Sequence, residues 1–200
     1  MKVLTLNACV RGEISRTWML AKACIEGLKE AAGENLEYEE LNLMDMDLKY
    51  LSGAFFRERE ELLAAGNRSH PRFDLAHQFA DADALIIAAP FWDLSIPAIL
   101  KVYIENISVD GITFGCNETG MYGLCKAKKM LFLTTRGAFY GEDGPLEHGA
   151  RYLKALCEMY GIDEFECIYV DGTDVLADQL DELMAEGCRK AREAGVGLVG

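Results

Sequence analysis

The sequence has few histidines and no closely spaced pair of cysteines. It contains three histidines, and no two have a spacing that would place both on one helix face. None of the seven cysteines belongs to a CxxC pair. Because zinc and iron–sulfur centres need closely spaced ligands, we expect no metal site. The odd number of cysteines in apolar surroundings predicts free, buried thiols in a reducing cytoplasm.

Long apolar runs and an excess of positive charge are also absent. No apolar run reaches the length of about 18 residues that indicates a membrane span, and residues 1–6 are too short for a signal peptide. The formal net charge is −13 and no basic stripe offsets it. This charge opposes binding to a nucleic-acid backbone. We therefore expect a soluble cytoplasmic protein that binds neither nucleic acid nor membrane.

What the sequence does contain is an alternation of strand-like and helix-like patterns. The 200 residues are half apolar and about a quarter charged, which fits a single domain, residues 1–200. The alternation predicts an α/β fold whose parallel sheet is covered by helices on both faces. A doubly wound sheet of order 2-1-3-4-5 is expected. The predicted strands cover residues 2–6, 36–41, 84–89, 130–134 and 167–170, and the main predicted helices cover 15–33, 96–107, 146–160 and 176–187.

One insertion interrupts this alternation between the second strand and the helix before the third. Residues 44–71 are too many for an ordinary connection and combine a charge run with phenylalanines and leucines. The segment is interpreted either as a mobile lid or as a piece that packs on a partner chain. A short surface helix with a solvated face is an equally good interpretation.

The loop after the first strand, residues 7–17, has the character of an anion site. It leads directly into a helix, whose first N–H groups and dipole favour a phosphate. Arg11 and Arg16 add positive charge, and Ser15 and Thr17 add hydroxyl donors. The alternative is an ordinary serine N-cap beside two surface arginines.

Three competing loop motifs do not fit this segment. There is no GxxxxGK[ST] sequence for a P-loop, and no GxGxxG sequence follows the first strand, as a Rossmann dinucleotide-binding site would require. A low-molecular-weight tyrosine phosphatase would need a thiolate in a C-x5-R loop, but six residues separate Cys9 from Arg16. The extra residue would misplace the guanidinium group.

Two further loops are expected beside the first one, because ligands bind at the carboxyl ends of parallel strands. Residues 89–98 follow the third strand and combine proline with two aromatic side chains, which suits a flat ligand. Residues 134–145 follow the fourth strand, and their glycines allow a ligand to approach the backbone closely. A phosphate in the first loop and a planar ring between the other two describe flavin mononucleotide (FMN).

At these loops the chain resembles the flavodoxin-like NAD(P)H-dependent oxidoreductases, especially the FMN-dependent NADH-azoreductase and quinone reductase branch. Residues 89–97 and 100–103 are similar to the pattern AAPMYNFxIPxxLKxYxD of that branch. Residues 111–114 match its GVTF sequence, and residues 133–137 match its TSRGG element. The resemblance implies a flavodoxin-like three-layer sandwich, FMN as cofactor and NADH or NADPH as electron donor.

The resemblance also implies roles for individual residues. Tyr140 would be a hydrogen-bond or proton donor, although the chemistry resides mainly on FMN. Asp93 stands where the family has asparagine, Cys9 lies where it has serine, and Tyr140 replaces a histidine of some members. The cofactor-binding residues implied by the loops and the resemblance together are Cys9, Arg11, Ser15, Arg16, Thr17, Pro90, Phe91, Trp92, Asp93, Leu94, Thr135, Arg136, Gly137, Ala138 and Tyr140.

The activity implied by the resemblance is hydride transfer from NAD(P)H through FMN to a small-molecule acceptor by a ping-pong mechanism. The acceptor would be a quinone, azo or nitro compound, or a similar molecule. Members of this type are homodimers with the active site at the subunit boundary, and candidates for that interface are Phe55, Phe56, Phe114 and the helix after Pro97. Two alternatives remain: an FMN electron carrier without NAD(P)H oxidoreductase activity, and an interaction protein that has lost the cofactor.

Overall fold

The central sheet consists of five parallel strands. The computed structural model describes residues 1–199. The sheet has the order β2-β1-β3-β6-β7, and a separate antiparallel hairpin is formed by β4 and β5. The strands are β1 (Lys2–Asn7), β2 (Glu37–Asn42), β3 (Ala84–Ala88), β4 (Phe114–Asn117), β5 (Gly120–Gly123), β6 (Lys129–Thr135) and β7 (Glu164–Val170).

The five predicted strands all lie in this sheet, with ends that differ by up to three residues. The predicted order 2-1-3-4-5 differs in its numbering, because the β4–β5 hairpin falls between the third and fourth strands of the sheet. The hairpin was not predicted. Its strands have four residues each, and the second begins and ends with glycine, so they lack the apolar alternation that identifies a longer strand.

Within residues 1–199 there are six α-helices, of which five lie between strands of the central sheet and the sixth follows the last strand. Helix α1 begins after Ser15, whose side chain accepts a hydrogen bond from the Trp18 backbone, and ends before Gly33 at φ +56°. Both ends agree with the prediction, because a serine N-cap and a C-terminal glycine satisfy opposite ends of a helix. The helices are α1 (Arg16–Ala32), α2 (Gly53–Ala64), α3 (Asp74–Asp81), α4 (Ala98–Ile107), α5 (Gly149–Tyr160) and α6 (Leu180–Val196).

Helices cover both faces of the sheet and produce three layers. Alternate residues of each central strand point to opposite faces. Leu4 and Leu85 pack in one core cluster with α3, α4 and α5, whereas Val3 and Ile86 pack in another with α1 and α6. The edge strands β2 and β7 are less buried than β1, β3 and β6.

The insertion contains α2, which has no fully buried residue. Leu62 and Leu63 nevertheless pack against the core cluster. Arg59 Nη2 donates to the Ser108 carbonyl over 2.8 Å, and Arg68 Nε donates to the carbonyl of Asp110 over 2.7 Å. The insertion is thus a surface helix tied to the chain after α4, while a role as a lid or partner surface stays a prediction.

Within residues 1–199, no helix is both long enough and apolar enough to cross a membrane. The same residues contain no group of three or more histidine, cysteine or acidic side chains arranged to hold a metal ion. All seven cysteines are free, and Cys9, Cys24 and Cys157 are buried. Cys116 differs from the expectation of buried thiols, since it lies exposed on β4.

Candidate functional site

A cleft lies at the carboxyl ends of β1, β3, β6 and β7. It has an internal volume of about 100 Å³ and opens to solvent. Four loops contribute to it, and their juxtaposition follows from the strand order. The lining residues are Val10, Arg11, Ser15, Arg16, Thr17, Pro90, Phe91, Trp92, Thr135, Gly137, Thr173 and Asp174.

The polar end of the cleft is formed by the start of α1. Ser15 is buried, and its Oγ accepts from the Trp18 N–H over 3.3 Å as the N-cap. The N–H groups of Arg16 and Thr17 are the first two of the helix, so they have no intrahelical acceptor. Because Arg11 and Arg16 also line the cleft, it presents both hydrogen-bond donors and positive charge to an anion.

The first loop is joined directly to the glycine-rich loop that follows β6. The hydroxyl oxygens of Thr17 and Thr135 lie 2.7 Å apart and share a hydrogen bond. Thr17 is fully buried. This contact fixes the distance between the helix N-terminus and the backbone of residues 135–138, so the two sides of the cleft are held in register.

Aromatic side chains form the opposite wall. Phe91 and Tyr140 pack with ring centroids 4.5 Å apart at an angle of 53°. Trp92 lines the cleft and remains 45% exposed. Exposed aromatic area beside a polar pocket is unfavourable in water and provides a face on which a planar ring can stack.

The segment after Trp92 makes a strained tight turn. Trp92 and Ser95 exchange backbone hydrogen bonds of 3.0 and 2.8 Å, and the two central residues are Asp93 at φ +46° and Leu94 at φ +66°. Among residues 1–199 they are the non-glycine residues with positive φ. Such conformations are costly for side-chain-bearing residues and concentrate at functional sites. Both side chains are exposed and lie outside the cleft lining.

Arg136 does not point into the cleft as the predicted cofactor-binding role would suggest. Its side chain is buried, and Nη1 donates to the Gly141 carbonyl over 2.9 Å. It forms ion pairs with Glu147 at 3.4 Å and Asp171 at 3.3 Å. A buried charge is tolerated only with such partners. The guanidinium group therefore stabilises the loops after β6 and β7 from the protein interior.

The same carboxylates organise the neighbouring backbone. Asp171 Oδ2 accepts hydrogen bonds from the N–H groups of Tyr140 and Gly141. Both oxygens of Glu147 accept from the Ala150 N–H at the start of α5. Arg136, Glu147 and Asp171, named here the internal ion cluster, thus connect the loops after β6 and β7 with helix α5.

Cys9 belongs to the first loop but lies outside the lining of the cleft. Its side chain is buried, and Sγ lies 3.6 Å from the Ala88 carbonyl oxygen, to which it donates. Burial raises the pKa of the Cys9 thiol to about 11. The thiol is therefore protonated at neutral pH and is not the thiolate nucleophile that the phosphatase alternative requires.

The cleft brings together most of the predicted cofactor-binding residues. Those in its lining are Arg11, Ser15, Arg16, Thr17, Pro90, Phe91, Trp92, Thr135 and Gly137. Those outside it are Cys9, Asp93, Leu94, Arg136, Ala138 and Tyr140.

Val10, Thr173 and Asp174 line the cleft but were not predicted. Thr173 and Asp174 belong to the loop after β7. The polar, glycine-containing sequence Asp171-Gly172-Thr173-Asp174 directly after a strand is the sequence feature that could have indicated a role in the site. That strand lies at the sheet edge, and the sequence does not reveal how far its loop leans inward. Thr173 Oγ1 donates to the Arg136 carbonyl over 3.1 Å, which draws this loop against the glycine-rich one.

The arrangement suits a ligand with an anionic group at one end and a flat ring at the other. The anion would lie at the start of α1 beside two arginines, and the ring along Phe91 and Trp92. Gly137 allows the loop after β7 to pack closely against the glycine-rich loop, because a Cβ there would lie 2.5 Å from Asp174 Oδ2.

Comparisons with known proteins agree with this architecture. A family model described as flavodoxin-like fold matches residues 1–194. The FMN-dependent NADH:quinone oxidoreductase of Clostridium perfringens is 37% identical over 195 residues, which are 95% of this chain and 96% of that protein. The FMN-dependent NADH:quinone oxidoreductase 2 of Clostridium acetobutylicum is 36% identical over 196 residues and 96% of each chain.

A solved structure gives the same result. The FMN-dependent NADH-azoreductase of Bacillus anthracis in complex with FMN superposes with a TM-score of 0.88 at 27% identity, covering 100% of this chain and 99% of that one. The fold and the cleft define a protein of the flavodoxin-like class. Within it, the chain belongs to the family of the FMN-dependent NADH:quinone oxidoreductases.

Proposed function

We propose that this protein is an FMN-dependent NADH oxidoreductase that reduces a small quinone or azo compound. The observation that carries the proposal is the cleft in which the start of α1, two arginines and an aromatic wall meet. It is supported by relatives of nearly equal length whose names specify FMN, NADH and quinone. NADPH as an alternative donor and nitro compounds as further acceptors belong to the same proposal.

The residues at the start of α1 would hold the FMN phosphate. Arg16 and Arg11 supply charge, while Ser15 and Thr17 supply hydroxyl groups beside free helix N–H groups. The planar ring would lie against Phe91 and Trp92, with its polar edge along the backbone of residues 135–138. Tyr140, held against Phe91, would be a hydrogen-bond donor near that edge.

FMN, when bound, supplies the chemistry, since it can accept a hydride from a nicotinamide and pass two electrons to an acceptor. The chain's own residues orient the ligands and keep one side of the cleft open. Because donor and acceptor would use this same open side in turn, we infer a ping-pong mechanism. No nucleophilic side chain is required, which fits the protonated state of Cys9.

We further propose that the protein is a cytoplasmic homodimer whose cleft lies near the subunit boundary. Several large apolar side chains close to the cleft or on the hairpin and the insertion are exposed, which favours a protein interface. They include Phe56, Trp92, Met121, Tyr122 and Phe139. Sedimentation equilibrium across a range of protein concentrations tests this part, and a monomer at every concentration would contradict it.

The first experiment is an anaerobic absorption spectrum of the protein loaded with FMN, recorded before and after NADH is added. Bleaching of the flavin bands, followed by their return when a quinone is added, supports the oxidoreductase. A matched titration with riboflavin tests the proposed phosphate site. Riboflavin lacks the phosphate and therefore every contact assigned to the start of α1, so its affinity should be lower than that of FMN.

Each outcome of this experiment decides between hypotheses. Flavin bands that persist with both NADH and NADPH would favour the electron carrier instead. Failure to take up FMN would refute the cofactor assignment. Equal affinity for riboflavin and FMN would show that the start of α1 does not bind the phosphate.

A further inference from the structure

Asp174 places a negative charge inside the proposed phosphate site. Its backbone N–H donates to the Gly137 carbonyl over 3.0 Å, which fixes the residue against the glycine-rich loop. Its Oδ1 lies 2.7 Å from Nη1 of Arg16. The carboxylate therefore bridges the loop after β7 and the start of α1, across the polar end of the cleft.

This carboxylate is the only acidic side chain in the lining of the cleft among residues 1–199, where the positive charges are those of Arg11 and Arg16. The pair is partly hydrated, with side-chain exposures of 32% for Arg16 and 72% for Asp174. Ion pairs of this exposure contribute little free energy and are separated at small cost. A phosphate approaching Arg16 would be repelled by the Asp174 carboxylate, which is already paired with the guanidinium group.

We propose that Asp174 competes with the ligand phosphate for Arg16. In the absence of a ligand it holds the guanidinium in the cleft, and it gives up this contact when a phosphate monoester binds at the start of α1. Asp174 thereby lowers the affinity for phosphate-bearing flavin while leaving the contacts to the ring unchanged. This inference rests on the proposed function, since FMN is the phosphate monoester considered.

The expected magnitude follows from the repulsion between one carboxylate and a doubly charged phosphate. Across roughly 6 Å in a nearly aqueous site the repulsion amounts to about tenfold in a binding constant at low salt. Because the site is open, salt should screen most of this effect. Riboflavin carries no phosphate, so its affinity should change by less than about twofold.

The test compares Asp174→Asn with the matched control Asp178→Asn. Both changes remove one negative charge from the chain between β7 and α6, but Asp178 is exposed and lies outside the cleft. The dissociation constants of FMN and riboflavin are measured by quenching of flavin fluorescence, at low and at high salt. Thermal unfolding of both variants verifies that folding is unaffected.

We expect Asp174→Asn to bind FMN about five to ten times more tightly than the parent protein at low salt. The control should change the dissociation constant by less than about twofold, since long-range charge effects at the surface are screened. Arg16→Gln should weaken FMN binding more in the Asp174→Asn background than in the parent protein, because Asp174 no longer shares the guanidinium.

The outcomes separate this inference from the proposed function. Unchanged or weaker FMN binding by Asp174→Asn, with normal binding by the parent protein, overturns the competition alone. An equal gain for riboflavin also overturns it, because that gain could not come from the phosphate. If the parent protein binds neither flavin, the proposed function and this inference both fail.

Discussion

The internal ion cluster allows a prediction about where charge stabilises this protein. Arg136→Met removes a guanidinium that is fully buried together with the carboxylate of Glu147. The methionine fills most of the space but leaves Glu147 without its counter-charge and Asp171 without one of its partners. Breaking a buried pair from one side costs about 3–5 kcal/mol, because an uncompensated charge remains in the interior.

The free-energy loss converts into a measurable shift of the unfolding temperature. For a domain of this size, each kcal/mol lowers the midpoint by about 2–4 °C. We therefore expect Arg136→Met to unfold about 6–20 °C below the parent protein in thermal denaturation followed by circular dichroism.

Arg189→Met is the matched control. Arg189 forms ion pairs with Glu186 and Glu193 at 2.7 and 2.6 Å, which are shorter than those of Arg136, but its side chain is 55% exposed. Exposed ion pairs are screened by water and contribute little to stability, so this variant should unfold within about 4 °C of the parent protein. Equal losses for the two variants would refute the argument that burial, and not the number or length of the ion pairs, decides their contribution.

Three further predictions concern backbone strain, helix packing and thiol reactivity. Leu94→Gly should raise the free energy of unfolding in urea by about 0.5–1 kcal/mol, since φ +66° is costly for leucine, while Leu146→Gly, at an exposed loop position of negative φ, should not. Gly195→Ala should lower the free energy of unfolding by about 1–3 kcal/mol, because the new Cβ would overlap the backbone of α1. In the control Gly197→Ala the Cβ would make only ordinary contacts, so equal effects of the two substitutions would contradict the packing argument. Iodoacetamide at neutral pH should modify the exposed Cys116 before the buried Cys9, Cys24 and Cys157, because burial raises the pKa values of these three thiols to between about 11 and about 12. The order of modification is followed by mass spectrometry, and earlier modification of the buried thiols would contradict this prediction.

Much of the fold could be predicted because its signals are local. Ser15 and Gly33 mark the two ends of α1 through side-chain capping and a positive φ, and the apolar run of β3 indicates a strand covered on both faces. The β4–β5 hairpin was not predicted because its short strands carry no strong local pattern. The start of α6 was expected at residue 176 but lies at Leu180, after a 3-10 turn.

The candidate site divides in the same way. Four of the site residues are close together in the chain, namely Arg11, Ser15, Arg16 and Thr17. The helix that begins there provides unpaired N–H groups irrespective of how the rest of the protein folds. Whether an arginine faces a cleft or the interior depends on groups distant in sequence. Arg136 stands in a loop that predicts ligand contact, yet it turns inward because Glu147 and Asp171 provide buried partners.

The sequence by itself therefore determined the five strands of the sheet, their alternation with helices and the loops that carry polar and aromatic groups, because capping, periodicity and chain connection act over a few residues. Tertiary structure alone decided that Asp174 reaches Arg16, that Thr17 meets Thr135 and that Cys9 is buried. These contacts join segments up to 158 residues apart. Their existence depends on strand order and on the burial of charge, which no local pattern encodes.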